Sequence, residues 1–127
     1  PRTRKNLESF GIWEQVTENP RIVATHPLNY HDLLHVNMKA RLAFTDSGGL
    51  QEECCVLGTP CLTLRWNTER PITLQENGGA SILVGNNVDS IREGYKHMLT
   101  AEKKPMRPEL WDGHTAQRCI EAIISHS

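Results

Sequence analysis

The sequence lacks any apolar run near the roughly 20 residues that a membrane-spanning helix needs, and no secretory signal peptide is visible. It also lacks an excess of one charge, since 14 basic and 15 acidic residues leave a formal charge of -1. Such a surface does not attract nucleic acid or an anionic membrane, so any anion-binding site must be local. We therefore expect a cytoplasmic protein whose partners include neither nucleic acid nor a membrane.

The sequence has few cysteines, and their spacing excludes the common cysteine-based sites. None forms a C-x-x-C pair, and we interpret all four as small buried apolar side chains: Cys54, Cys55, Cys61 and Cys119. His31 and His35 are one helical turn apart and could share a metal ion, but no third ligand lies nearby in the sequence. We expect neither a metal nor a cofactor.

The 127 residues fit one domain of ordinary composition, with 38% hydrophobic and 23% charged residues. Strand and helix patterns alternate along the chain, which predicts an α/β fold with a parallel sheet and helices on both faces. Such Rossmann-like sheets bind ligands beyond the carboxyl ends of their strands. Strands are predicted at 21–24, 41–44, 61–65 and 80–84, and helices before Gly11, at 31–39, after Ser47, at 88–99 and at 115–124.

Residues 45–60 form the most informative stretch of the chain. Ser47 is a good N-cap residue, and apolar residues then recur at helical spacing until Gly58. Gly48 and Gly49 have no Cβ, so a ligand can approach the backbone where the helix presents unpaired N–H groups and the positive end of its dipole. The pattern of strand, glycine turn and helix therefore predicts a phosphate-binding site.

Glu53 makes this predicted site more specific. It lies four residues after Gly49 on the same helix face, and its carboxylate can reach a group just beyond a bound phosphate. A carboxylate there would repel phosphate but would accept hydrogen bonds from the vicinal diol of a ribose. Alternatively, Ser-Gly-Gly is only a turn and residues 51–53 are only a solvated helix face.

The motifs around this stretch carry a family resemblance. Residues 45–53 are followed by Leu-Gly-Thr-Pro-Cys-Leu at 57–62, Arg-Trp-Asn-Thr-Glu-Arg-Pro at 65–71 and Leu-Val-Gly at 83–85. Residues 111–116, Trp-Asp-Gly-His-Thr-Ala, are similar to a Gly-Asp-Gly-x-Ala-Ala motif before a last helix. With Pro-Arg-Thr-Arg at 1–4, these motifs resemble the UDP-N-acetylglucosamine (UDP-GlcNAc) 2-epimerase family.

The resemblance implies more than the residues show by themselves. Members of that family have two Rossmann-like domains in the glycosyltransferase-B arrangement and bind UDP-GlcNAc between them. They invert C2 of the sugar by eliminating and re-adding UDP, with acid–base carboxylates from the N-terminal domain. This chain resembles the C-terminal domain, truncated at its N-terminus, of an enzyme that forms a homodimer at full length. By the resemblance, Ser47, Gly48 and Gly49 would hold the diphosphate, Glu53 the ribose hydroxyls, and Arg70 the phosphates or the closed cleft.

Two choices stay open at this point. Arg70 has the planar fork that suits phosphate, but residue types alone equally allow an ion pair with Glu69 or Glu76. For the chain as a whole, the leading hypothesis is a UDP-binding domain of a UDP-GlcNAc 2-epimerase, either interconverting UDP-GlcNAc and UDP-ManNAc or hydrolysing, and inactive alone. The alternatives are the donor-binding domain of a glycosyltransferase and a nucleotide-sugar-binding module without chemistry.

Overall fold

The chain divides into two compact units, residues 1–33 and 34–127, and the computed structural model describes residues 2–126. In the first unit, α1 (Arg2–Ser9) and α2 (Trp13–Glu18) are joined through Gly11, whose φ of 67° is left-handed. The predicted helix before Gly11 is confirmed, whereas α2 was not predicted. The Arg4 guanidinium lies 4.9 Å from the centroid of the Trp13 ring, a cation–π contact between the two helices.

The strand predicted at residues 21–24 is wrong, because the structure has no strand there. The backbone N–H of Ile22 donates to the Asn19 carbonyl at 3.0 Å, and the N–H of Arg21 donates to Asn19 Oδ1 at 3.0 Å. These N–H groups are used within a local turn. A strand needs a neighbouring strand to pair with, and apolar residues such as Val23, which is exposed, do not supply one by themselves.

The second unit contains a three-stranded parallel sheet in the order β1-β2-β3. The register aligns Phe44 with Leu62 and Leu62 with Ile82. The predicted parallel sheet is confirmed, with shorter strands than the sequence suggested. The elements from the boundary onward are α3 (Tyr30–Lys39), β1 (Ala43–Thr45), α4 (Gly48–Leu57), β2 (Cys61–Thr63), 3₁₀ turns at Pro71–Thr73 and Gln75–Asn77, β3 (Ser81–Leu83), α5 (Val88–Leu99) and α6 (Thr115–Ser125).

Helices cover both faces of the central strand β2, as predicted. Leu62 packs with Val84 and with Met98 of α5 in the apolar core. Its neighbour Cys61 points to the opposite face, because side chains alternate along a strand, and there it meets Cys54 of α4. Every residue of β2 is buried, which is the normal state of a strand inside a parallel α/β sheet.

Three of the four cysteines are buried as predicted, and the prediction for Cys119 is wrong. A hydrogen bond with Cys61, together with burial, raises the pKa of the Cys54 thiol. Burial likewise raises the pKa of the Cys55 thiol. Cys119 is exposed because α6, whose apolar pattern predicted burial, has no buried residue among those that the structure describes.

Helix α6 begins after a turn organised by Asp112. Asp112 Oδ1 accepts a hydrogen bond from the backbone N–H of His114 at 3.0 Å. One Arg118 nitrogen donates to both Asp112 oxygens at 3.0 and 2.8 Å, and the other donates to the Leu110 carbonyl at 2.7 Å. The hydrogen bonds that the Asp112 carboxylate accepts from Arg118 and from the His114 N–H lower its pKa to about 2. The motif at residues 111–116 therefore fixes the start of this helix.

Candidate functional site

The predicted phosphate-binding turn lies at the carboxyl end of β1 and opens α4. Ser47 is the N-cap residue: its Oγ accepts from the N–H of Leu50 at 3.5 Å, while its own N–H donates to Thr45 Oγ1 at 3.0 Å. Gly48 and Gly49 come too early in the helix for their N–H groups to have an intrahelical acceptor. The turn therefore presents N–H donors at the positive end of a ten-residue helix, as predicted.

The sheet order explains why Arg70 comes to this turn from another part of the sequence. β1 and β2 are parallel neighbours, so the segments that follow them leave from the same edge of the sheet. A Cβ added to Gly48 would lie 3.1 Å from Glu69 Oε1 and 3.6 Å from Arg70 Cγ. A Cβ added to Gly49 would lie 3.9 Å from Ser47 Oγ, an ordinary van der Waals distance. Residues 69 and 70 thus lie over Gly48 and leave Gly49 open.

The carboxylate that pairs with Arg70 is Glu52 of α4, so the suggested partners Glu69 and Glu76 are wrong. Arg70 Nε lies 2.7 Å from Glu52 Oε1, as an ion pair that is not aligned as a hydrogen bond. Both side chains are about two-fifths exposed, at 42% and 38%. Glu69 pairs instead with Arg65 at 2.8 Å, and a hydrogen bond from its own backbone N–H, followed by the nearby Arg65, lowers its carboxyl pKa. Local sequence could not reveal the Arg70–Glu52 contact, because 18 positions separate the two residues.

Glu53 is the next residue on α4, and one of its carboxylate oxygens is among the few buried side-chain polar atoms without a hydrogen-bond partner in the part of the chain that the structure describes. Glu53 Oε2 is buried and accepts no hydrogen bond from any residue that the structure describes. Buried polar atoms in proteins are nearly always hydrogen-bonded, so this oxygen is available to a donor from a bound ligand. The oxygen belongs to the side chain one helical turn after Gly49, where the sequence predicted a diol-binding carboxylate.

Gln51 is a residue of the site that the sequence analysis missed. The alternative interpretation placed it on a solvated helix face, yet its side chain is fully buried. Its Nε2 donates to the Ser47 carbonyl at 3.4 Å, and its Oε1 accepts from the Thr68 hydroxyl at 2.9 Å. Gln51 precedes Cys54 by three positions and Cys55 by four, and this spacing to two buried residues was the available signal.

The other cysteine, histidine and carboxylate side chains do not suggest a competing site. Within residues 2–126, no group of three or more His, Cys, Asp or Glu side chains is arranged to hold a metal ion. Both His31 and His35 are exposed. A cavity of about 790 Å³ in the first unit is lined mainly by apolar residues, and its polar lining residues include Arg4 and His26. None of the residues predicted to bind phosphate lines this cavity. None of the described helices is both long and apolar enough to cross a membrane.

Comparison with known proteins supplies an independent result. The family model described as UDP-N-acetylglucosamine 2-epimerase matches residues 1–124. The chain is 37% identical over 123 residues to the UDP-N-acetylglucosamine 2-epimerase of Methanocaldococcus jannaschii, covering 97% of this chain and 33% of that relative. It is 38% identical over 124 residues to the enzyme of the same description from Methanococcus maripaludis, covering 98% of this chain and 33% of the relative.

Solved structures agree with these sequence matches. The crystal structure of the M. jannaschii UDP-GlcNAc 2-epimerase in complex with UDP-GlcNAc and UDP superimposes on the chain with a TM-score of 0.83 at 36% identity. The superposition covers all of this chain and 34% of that one. The chain thus spans about a third of the length of the relatives that it matches. The structural similarity confirms the prediction of a Rossmann-like domain from a glycosyltransferase-B-type fold.

Proposed function

Because the chain belongs to the UDP-N-acetylglucosamine 2-epimerase family, we propose that it is the C-terminal, UDP-binding domain of such an enzyme. The N-terminus of α4, at Ser47, Gly48 and Gly49, binds the diphosphate, Glu53 binds the ribose hydroxyls and Arg70 binds phosphate. The chain spans about a third of its relatives' length, so the reaction of the whole protein is part of this proposal. That reaction is the interconversion of UDP-GlcNAc and UDP-ManNAc, or its hydrolysing variant.

The observation that carries the proposal is the buried Glu53 Oε2 without a hydrogen-bond donor. It lies one helical turn beyond Gly49, at a helix terminus that favours anions. A carboxylate and a phosphate repel each other, so inorganic phosphate alone does not explain both features. A phosphate linked to a ribose does, because the phosphate accepts from the N–H groups while a ribose hydroxyl donates to Glu53.

Arg70 is free to exchange its present partner for a phosphate. Its ion pair with Glu52 is partly exposed, and such pairs stabilise a protein by only about 0–1 kcal/mol. A charge-assisted hydrogen bond contributes roughly 1.5–3 kcal/mol, so a phosphate beside Gly48 competes well for the guanidinium. Glu69 also lies near Gly48, but its ion pair with Arg65 reduces its repulsion of a phosphate.

A second domain is part of the proposal, since about two thirds of the relatives' length has no counterpart in this chain. The exposed side chains of Ile120 and Ile124 on α6 support it, because clustered apolar residues on a surface are typical of sites that contact another protein surface. We assign the acid–base groups of the epimerase reaction to that domain. The homodimer of the full-length protein stays a prediction.

Titration calorimetry with UDP, 2′,3′-dideoxy-UDP and pyrophosphate tests the nucleotide assignment. We expect UDP to bind more tightly than pyrophosphate, because only UDP also reaches Glu53. Dideoxy-UDP, which lacks the diol, should lose much of that advantage. If UDP bound no better than pyrophosphate, the site would be a general anion site and the nucleotide assignment would be wrong.

The variant Glu53→Ala tests the role of the carboxylate directly. We expect it to weaken UDP binding about tenfold or more, the usual cost of losing a charge-assisted hydrogen bond, and to leave pyrophosphate binding unchanged or improved. Glu93→Ala, an exposed position on α5, serves as the matched control and should not change either affinity. Unchanged UDP binding by Glu53→Ala would remove Glu53 from the site.

A further inference from the structure

Gln51 is the polar side chain that links the two segments of the candidate site. It is fully buried, and both ends of its amide are hydrogen-bonded. Its backbone N–H and its side-chain Nε2 both donate to the Ser47 carbonyl, at 3.2 and 3.4 Å. Its Oε1 accepts from the hydroxyl of Thr68, which lies in the segment after β2. One side chain thus ties the N-cap of α4 to a segment 17 residues away.

The same connection continues to the backbone of Arg70. Thr68 Oγ1, while donating to Gln51, accepts a hydrogen bond from the Arg70 N–H at 3.0 Å. The Arg70 carbonyl accepts from Thr73 Oγ1 at 2.7 Å. Both backbone polar groups of Arg70 are therefore held by threonine hydroxyls, and both hydroxyls lie within hydrogen-bond distance of Gln51 Oε1, at 2.9 Å for Thr68 and 3.5 Å for Thr73. The chain of contacts runs from the Ser47 carbonyl through Gln51 and Thr68 to Arg70.

We propose that Gln51 is a positioning residue that sets the distance between the α4 N-terminus and Arg70, so that both can bind one diphosphate. This inference rests on the function proposed above. An amide suits the position, because its Nε2 gives the Ser47 carbonyl a second donor while its Oε1 accepts from the Thr68 hydroxyl. Glutamate lacks the donor and methionine lacks both, although each is close to glutamine in size.

A purely structural role and a positioning role of Gln51 lead to different expected effects on ligand binding. If Gln51 only stabilised the fold, its loss would lower stability, and Arg70 would contribute as before to binding by the folded protein. If Gln51 positions Arg70, its loss should also remove part of what Arg70 contributes to affinity. Non-additivity of the two substitutions in binding therefore separates the two roles.

The experiment is a double-mutant cycle of Gln51→Met and Arg70→Lys on the whole chain, with UDP and pyrophosphate affinities measured by calorimetry. We expect Gln51→Met to weaken both ligands by about three- to tenfold, as for the loss of a buried hydrogen bond. In the Gln51→Met background, Arg70→Lys should cost clearly less affinity than in the wild type. Full additivity of the two losses, or unchanged binding by Gln51→Met, would overturn the proposal.

Two further variants keep the result interpretable. Thr68→Val removes the hydroxyl that links Gln51 to the Arg70 N–H, and Thr68 is only partly buried. This variant replaces Gln51→Met in the cycle with Arg70→Lys if Gln51→Met does not fold. Met98→Ala, in the core on α5, lowers stability without touching these contacts and should leave UDP affinity unchanged. A wild-type chain that binds no UDP would refute the proposed function, whereas UDP binding with an additive cycle would refute the role of Gln51 alone.

Discussion

At the scale of single residues, the candidate site combines firmly held side chains with exchangeable ones. Gln51 and Thr73 are fully buried and hydrogen-bonded within the protein. Arg70 and Glu52 are partly exposed and make an ion pair that water and salt weaken. The buried amide and hydroxyls fix the backbone, and the partly exposed charges remain able to change partners.

Arg70→Lys should weaken UDP binding by about tenfold while changing the free energy of unfolding by less than about 1 kcal/mol. Lysine keeps the charge but loses the planar fork that binds two phosphate oxygens at once. The half-exposed pair with Glu52 stabilises the fold little, so the melting temperature should hardly change. Calorimetry with UDP and thermal unfolding measure the two effects on the same preparation.

Arg92→Lys is the matched control for this prediction. Arg92 is exposed on α5, 3.8 Å from Asp89, and its replacement should alter neither UDP affinity nor stability. A large loss of stability with unchanged affinity in Arg70→Lys would favour the alternative that the sequence left open, in which Arg70 serves only a structural ion pair.

At the scale of the elements, the close approach of α5 to the sheet depends on one glycine. A Cβ added to Gly94 would lie 2.6 Å from Val84 Cγ1 and 2.7 Å from Leu62 Cδ2. Glycine in a helix interior costs about 1 kcal/mol relative to alanine, so its presence here needs a reason. The reason is packing, because the backbone of the helix lies directly against β2 and β3.

Gly94→Ala should therefore destabilise the protein by roughly 1–3 kcal/mol, since the overpacking exceeds the gain in helix propensity. Denaturant unfolding followed by circular dichroism measures the change. Glu93→Ala, exposed on the same helix, should be close to neutral. If Gly94→Ala were more stable than the wild type, α5 would not lie this close to Leu62 and Val84.

The start of α6 should make stability depend on pH in the acid range. The pKa of Asp112 is about 2 in the folded protein, because Arg118 donates hydrogen bonds to its carboxylate. In an unfolded chain the aspartate pKa is about 3.9. The folded-state pKa is the lower one, so the contribution to stability is complete above about pH 5 and is lost as the pH falls towards about 2.

Comparison of the wild type with Asp112→Asn checks this dependence. We expect the wild type to be more stable at neutral pH and the difference to shrink progressively between about pH 5 and pH 2. Urea unfolding at several pH values is the measurement. Asp89→Asn, an exposed carboxylate 3.8 Å from Arg92, should show a smaller dependence. A difference independent of pH would show that the Asp112 charge does not contribute.

At the scale of the whole molecule, this chain alone should not invert C2 of UDP-GlcNAc. Proton removal and return at that carbon need a positioned acid and base. Of the carboxylates at the candidate site, Glu52 and Glu69 are paired with arginines, Glu53 is assigned to ribose, and Asp46 is exposed in the turn before α4. NMR in deuterated water should show no C2 proton exchange above background, with the M. jannaschii enzyme as positive control. Exchange by this chain would mean that it contains the catalytic groups.

The features that depend on neighbouring residues could be predicted from the sequence. Ser47 caps α4, Gly58 ends it with a left-handed φ of 71°, and α5 spans the predicted residues 88–99. Caps and apolar periodicity act within a few residues, so the pattern of each segment is enough to predict them. The predicted parallel sheet followed from the alternation of such segments.

The packing of the folded chain, in contrast, brings together residues that are distant in the sequence. It buried Gln51, gave Arg70 the partner Glu52 and left residues 21–24 without a strand. Burial and pairing depend on what packs against a segment, and that is set by the order of strands in the sheet. The adjacency of β1 and β2 brings the segment of Arg70 to the glycine turn, and no local pattern in either segment contains that information.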